Sequence, residues 1–186
     1  SEYMRWNLDT AAGWTPGQNT RLEVSSHLSD GQAAYADRGV DGAKFRRLGA
    51  GLTFEHRRPG ARLSRIDVST SYNYVDHVMD NYTLRAPASA MTMPMAMNPD
   101  RTTYGGRAMT TWNWSGLTLE TGVDAQANEH RSRNAMRQDL TPYDTLPWND
   151  DARFVTAGVF VEGDYRAGSR TRVVSGVRVD RAEARD

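Results

Sequence analysis

The 186-residue chain has no cysteine. A disulfide framework, a thiolate zinc site and a cysteine nucleophile are therefore excluded within it. It has no excess charge of either sign, with Lys+Arg and Asp+Glu at 23 each. The basic footprint expected of a nucleic-acid binder is thus missing. No apolar run approaches the length of a membrane-spanning helix, and the mean hydropathy is −0.70. The first residues, Ser1-Glu2-Tyr3-Met4-Arg5-Trp6, lack the basic-then-apolar pattern of an export signal and read as strand. Low hydropathy does not exclude a membrane, because a barrel strand faces lipid with only every second residue.

What the chain does have is a period of two. Met4, Trp6, Leu8, Ala12 and Trp14 alternate with Arg5, Asn7, Asp9 and Gly13. The same pattern recurs around Leu22–Leu28, Leu48–Phe54, Ile66–Tyr74, Tyr104–Trp114, Leu117–Ala127, Val155–Tyr165 and Val173–Val179. That predicts about eight strands, each near the ~10 residues that a tilted membrane strand needs. The connections alternate between short and long. Short turns are signalled at Thr15–Asn19, His56–Gly60, Ser115-Gly116 and Arg166–Ser169, and long stretches at about 29–44, 80–102 and 131–151. An outer-membrane barrel keeps that rhythm, with short periplasmic turns and longer extracellular loops. Trp14, Trp112, Trp114 and Tyr165 fall beside short turns on the apolar face, and Tyr72 and Tyr74 toward a long loop, as aromatic girdles do. A soluble antiparallel sandwich or barrel explains the alternation equally well, but neither the rhythm nor the aromatic placement.

The third notable feature is Met91-Thr92-Met93-Pro94-Met95-Ala96-Met97, downstream of His77-Val78-Met79. Thioether and imidazole suit a soft metal, above all Cu(I). An ordinary methionine-rich loop is the competing reading, since methionine is adaptable filler. By parity Asp67, Ser69, Ser71, Asn73, Val75, His77 and Met79 share the lumen face, so His77 and Met79 are neighbours near the extracellular end. Met91, Met93, Met95 and Met97 are expected in the loop above them as secondary capture sites. Met109 is a weaker lumen-face candidate. His27 and His130 read as solvated inward polar residues, and His56 as a surface turn residue. Asp76 and Asp80 fall on the opposite face, and no hydrolytic constellation is present.

Tyr72-Asn73-Tyr74-Val75-Asp76-His77-Val78-Met79-Asp80-Asn81-Tyr82, followed by Met93-Pro94-Met95-Ala96-Met97-Asn98-Pro99-Asp100-Arg101 and Tyr104-Gly105-Gly106-Arg107, resembles the TonB-dependent copper receptors of Gram-negative outer membranes. The strand rhythm is similar over essentially the whole chain, and the specific likeness runs from Tyr72 to Arg107. The resemblance implies a barrel of roughly 22 strands whose lumen is filled by an N-terminal plug. It also implies a copper site that combines a barrel His-x-Met pair, here His77 and Met79, with Cys and Met from the plug.

The expected fold is therefore all-β. Residues 1–186 are expected to form part of one antiparallel transmembrane β-barrel domain, a fragment of about eight strands with the plug lying outside them. The expected function is copper transport, not catalysis, with copper as Cu(I) bound by His77 and Met79. The expected partners are outer-membrane lipid, the protein's own plug domain and the TonB energy-transducing protein, with no nucleic acid. The open alternatives are a receptor for another ligand such as a siderophore, a structural or adhesive barrel, and a soluble periplasmic copper-binding domain.

Overall fold

The computed structural model describes residues 2–86, 89 and 91–186. It is all-β. β1 (Glu2–Gly17), β2 (Thr20–Ala34), β3 (Asp41–Arg57), β4 (Leu63–Asp80), β5 (Ala96–Trp114), β6 (Leu117–Ala135), β7 (Asn149–Arg166) and β8 (Arg172–Arg185) form one sheet. Each strand pairs antiparallel with its sequence neighbour, and β1 and β8 are the two edges. A single 3-10 turn, Tyr143–Thr145, lies in the loop between β6 and β7.

Two adjacent rows of the register define the faces. Trp14, Leu22, Phe54, Val68, Ala108, Val123, Val159 and Val179 lie opposite one another across all eight strands. One residue along, Gly13, Glu23, Thr53, Ser69, Arg107, Asp124, Gly158 and Asp180 form the neighbouring row on the other face. Strand side chains alternate between faces, so the period of two read from the sequence becomes one apolar and one polar surface. The apolar surface is bare: Trp14 and Val179 are each 64% exposed. Among the described residues the largest fully buried side chains are instead polar, with Asp41 at 0% and Asn98 at 1%. A water-soluble sheet would bury the first set and expose the second. A sheet whose apolar face meets hydrocarbon does the reverse.

The turns follow the local chemistry. Ser115-Gly116 closes the β5–β6 hairpin with Gly116 at φ 77°, a left-handed conformation that glycine takes without steric cost. Gly60 does the same at φ 80° between β3 and β4. Trp112 and Trp114 stack at 6.3 Å beside the short turn of β5. Tyr72 and Tyr104 meet at 5.4 Å toward the opposite end of the apolar surface. The apolar band between these aromatic levels covers Leu48–Phe54 of β3 and Ile66–Tyr74 of β4.

The strands run to 14–19 residues, beyond the ~9–11 that a bilayer requires. The extra length lies at the long-loop end and shortens all three long stretches. β2 continues to Ala34, β5 begins at Ala96 and β6 continues to Ala135. Pro87, Ala88 and Ala90 of the second stretch lie outside the described residues. His56 is within β3, not in a turn, and its Nδ1 hydrogen-bonds Thr20 Oγ1 at 2.9 Å.

Above the apolar band the outward face is polar and covered. Asp76 takes Lys44 Nζ at 2.5 Å and Asn98 Nδ2 at 2.7 Å. Asp100 accepts Arg131 Nη2 at 2.5 Å and the Tyr74 hydroxyl at 3.2 Å. Arg133 donates to Asn98 Oδ1 at 2.9 Å and to the Asp144 carbonyl at 3.0 Å. Its guanidinium also stacks 4.2 Å from the Trp148 ring. This network holds the β6–β7 loop down on the outward face of β5 and β6.

Candidate metal centre

His77 and Met79 lie on the polar face of β4, as parity requires, at the end beyond the apolar band. The His77 ring stacks on Phe45 of β3 with centroids 4.4 Å apart and planes at 30°. Phe45 and His77 are register partners. The register shifts between Gly42 and Lys44, which brings Gly42 opposite Met79. A Cβ on Gly42 would run into the Phe45 ring. Glycine there lets that ring lie across the strand pair and fix the imidazole plane. His77 Nε2 is shielded from solvent and has no hydrogen-bond partner among the described residues. An orphaned imidazole nitrogen carries a desolvation cost that a metal ion would relieve.

Met79 has a second partner. Because β5 begins at Ala96, Met97 belongs to a strand and lies directly opposite Met79. Directly opposed residues share a face with Cβ atoms about 4.5–5.5 Å apart. The expectation that Met97 belongs to the overlying loop is therefore corrected. It stands on the same wall as His77 and Met79, giving one imidazole and two thioethers, and Met97 is 40% exposed. Counting by two from Tyr104 would have placed Met97 on the inward face, but its pairing with Met79 needs the register.

Met91, Met93 and Met95 do lie outside the strands. The backbone of Met93 and Met95 is tied down. Asn81, itself buried, donates from Nδ2 to the Met93 carbonyl at 3.0 Å and accepts the Met95 N–H at 2.9 Å. The Gln138 N–H donates to the Pro94 carbonyl at 2.8 Å, joining this segment to the β6–β7 loop. Met91 is exposed and Met95 half-buried. The methionine segment is thus held beside the outer end of β4 and β5, where the sequence placed it.

Asn98 supports the centre from behind. One Nδ2 donates both to Asp76 and to the His77 carbonyl, the latter at 3.0 Å. Asp80 accepts the N–H groups of Tyr82 and Thr83 at 3.2 and 2.9 Å and the Thr83 hydroxyl at 2.6 Å. Asp76 and Asp80 are therefore committed to structural partners on the opposite face. Among the described residues no three His, Cys, Asp or Glu side chains converge on a harder ion. Beyond the band, Arg85 binds the buried Asp41 carboxyl, donating from Nε at 2.6 Å. The guanidinium holds that carboxyl below the usual aspartate range. Tyr82 in the same loop is pushed up to about 12, first by burial and then by the carboxylate of Asp80.

Met109 accepts a weak contact from Arg107 Nη2 at 3.8 Å, well down the wall from His77. His130 packs edge-on to Phe154 at 5.7 Å. His27 is not simply solvated: its Nδ1 pairs with Asp9.

Residues 1–186 match the family described as TonB dependent receptor-like, beta-barrel. Among solved structures, the chain is similar to the copper transporter OprC, at 43% identity and a TM-score of 0.89, over 99% of this chain and 30% of that one. It is also similar to the alcaligin outer membrane receptor FauA from Bordetella pertussis, at 12% identity and TM-score 0.66, over 98% of this chain and 28% of that one. The P. aeruginosa FpvA, solved bound to heterologous pyoverdines, matches at 10% identity and TM-score 0.68, over 98% of this chain and 31% of that one. The last two likenesses show the fold alone. No curated protein sequence matches. The chain spans about three-tenths of the length of the solved structures it matches. Its place is the Gram-negative outer membrane, where the polar face lines the lumen and the apolar face meets lipid. The chain belongs to the TonB-dependent receptor β-barrel family.

Proposed function

We propose that these eight strands are wall of an outer-membrane copper receptor and that His77 and Met79 bind its cargo. The observation that carries this reading is the grouping of His77, Met79 and Met97 on one lumen-facing patch at the extracellular end. A neutral imidazole and thioethers are soft to borderline donors, matched to Cu(I) and poorly matched to a hard ferric centre. The 43% identity to a copper transporter supports the same cargo.

In this reading the exposed Met91 and Met93 meet the ion first, followed by Met95 and Met97, and His77 and Met79 take it at the wall. Serial thioether sites are individually weak, which lets an ion pass onward. Residues 1–186 are one part of a single barrel domain of roughly 22 strands. The plug filling its lumen would supply the remaining ligands, Cys and Met. The TonB protein, contacting the receptor's N-terminal part, would supply energy. The chain moves its ligand and does not transform it.

The test uses the intact receptor. Copper bound to the purified protein, read by atomic emission, should fall at least tenfold in a His77→Ala, Met79→Ala variant. Uptake should be competed by silver(I) and not by ferric chelates. Unchanged copper stoichiometry and affinity would overturn the assignment.

A further inference from the structure

The apolar face is finished differently at its two ends. At the short-turn end it carries Trp14, Trp112, Tyr165 and Val173, and Arg21, Arg57, Arg65 and Arg172 take the polar face instead. Among the described residues no strand points a lysine or arginine outward there. At the long-loop end, Arg153 of β7 and Arg181 and Arg185 of β8 do point outward. Each lies an even number of residues from Val159 or Val179 on the same strand. Outward cations on one side of the band only match an anionic lipid layer on that side.

Their height is that of the headgroups. On β7 the outward run from Tyr165 to Val155 covers ten residue steps, about 33 Å along the strand. At a tilt of about 40° that is about 25 Å of height, the full lipid-facing band. Arg153 is the next outward residue. It is the register partner of Arg185, and like charges directly opposite each other are destabilising. Neither is neutralised closely: Glu129 stands 3.7 Å from Arg153, and Glu183 stands 3.8 Å from Arg185. Both separations are too long for hydrogen bonds. Glu183 is bonded by Arg181 instead. Three guanidiniums thus meet two carboxylates, leaving one positive charge in excess. Arg153, Val155, Glu183 and Arg185 line a niche of about 180 Å³ on the outward face. At about 30 Å³ for a water, that is room for a phosphate group and its hydration.

We propose that Arg153 and Arg185 clamp a phosphate on the headgroup of an outer-leaflet glycolipid, whose acyl chains run down past Val155, Val159 and Val179. One phosphate accepting from both guanidinium forks cancels the repulsion between them. The apolar run directly below the niche supplies the surface for the chains. The proposal concerns the lipid face and is independent of the cargo.

The experiment uses the intact receptor, delipidated in neutral detergent with EDTA and titrated with diphosphoryl lipid A. Bound lipid is counted by native mass spectrometry. The Arg153→Gln, Arg185→Gln variant should bind about tenfold more weakly. The Arg153→Lys, Arg185→Lys variant should recover part of that loss, since lysine keeps the charge and loses the fork. Dephosphorylated lipid A should bind the unaltered receptor no better than the diphosphoryl form binds the glutamine variant. Inorganic phosphate in large excess should not compete, because it lacks the chains. Equal binding by the receptor and the glutamine variant would overturn the proposal. So would competition by inorganic phosphate as strong as by lipid A, which would mark a free-phosphate site. Binding that requires magnesium and is lost in Glu183→Gln would also overturn it, by assigning the niche to a bridging cation.

Discussion

Asn98→Ala is the sharpest test of how the outer site is held, because Asn98 is not a ligand. The residue is 1% exposed. Its side chain donates to Asp76 at 2.7 Å and to the His77 carbonyl at 3.0 Å, and accepts from Arg133 at 2.9 Å. Removing three buried bonds at about 1 kcal/mol each costs about 3 kcal/mol locally. That corresponds to roughly a hundredfold rise in local opening. The apolar band does not involve Asn98, so the loss should stay local. Hydrogen exchange on the intact receptor should show faster amides in Asp76–Asp80 and Ala96–Asp100, with those of Val68–Tyr72 unchanged. Copper affinity should fall with the same variant, since the His77 backbone loses its anchor. Unchanged protection in both outer segments would refute the claim that Asn98 braces the site.

Four other outcomes are expected. Val123→Arg puts a charge on the apolar face and should cost about 2–4 kcal/mol in folding into vesicles measured against urea, whereas Gln126→Arg on the polar face should cost little. Gly42→Ala should displace Phe45 from His77, lowering copper affinity without lowering barrel stability, as read by copper competition and thermal melts. Asn81→Ala should release the methionine segment, seen as faster proteolysis within Met91–Met95 and slower copper association. The Asp41 carboxyl has its folded value lowered by Arg85, so its stabilisation is present above about pH 4 and is lost as pH falls through the lowered value. Protection of the Arg85 loop should therefore persist below the ordinary aspartate range, and Arg85→Ala should abolish that pH dependence.

The fold was legible in the sequence where lipid enforces it. Inside the apolar band every second residue meets hydrocarbon, so Ile66, Val68, Tyr72 and Tyr74 announce a strand by themselves. Beyond the band both faces are polar. Asn98 and Asp100 are outward residues that are buried, and Asp76, Arg131 and Arg133 beside them are partly covered, so the alternation disappears although the ladder continues. That is why the outer ends of β2, β5 and β6 read as loop. The His77–Met79 pair was legible because parity along one strand needs no partner. Met97 opposite Met79, Phe45 over His77 and Asp9 on His27 were not, because each depends on register between strands. The Gly42 bulge that sets the β3–β4 register leaves no period in the sequence.

The central claim is that His77 and Met79 hold copper. Crystals of the intact receptor loaded with one equivalent of copper, measured at the copper absorption edge, test it directly. The account predicts one dominant anomalous peak within bonding distance of a His77 ring nitrogen and the Met79 sulfur. A dominant peak elsewhere, or none on this wall, would contradict it.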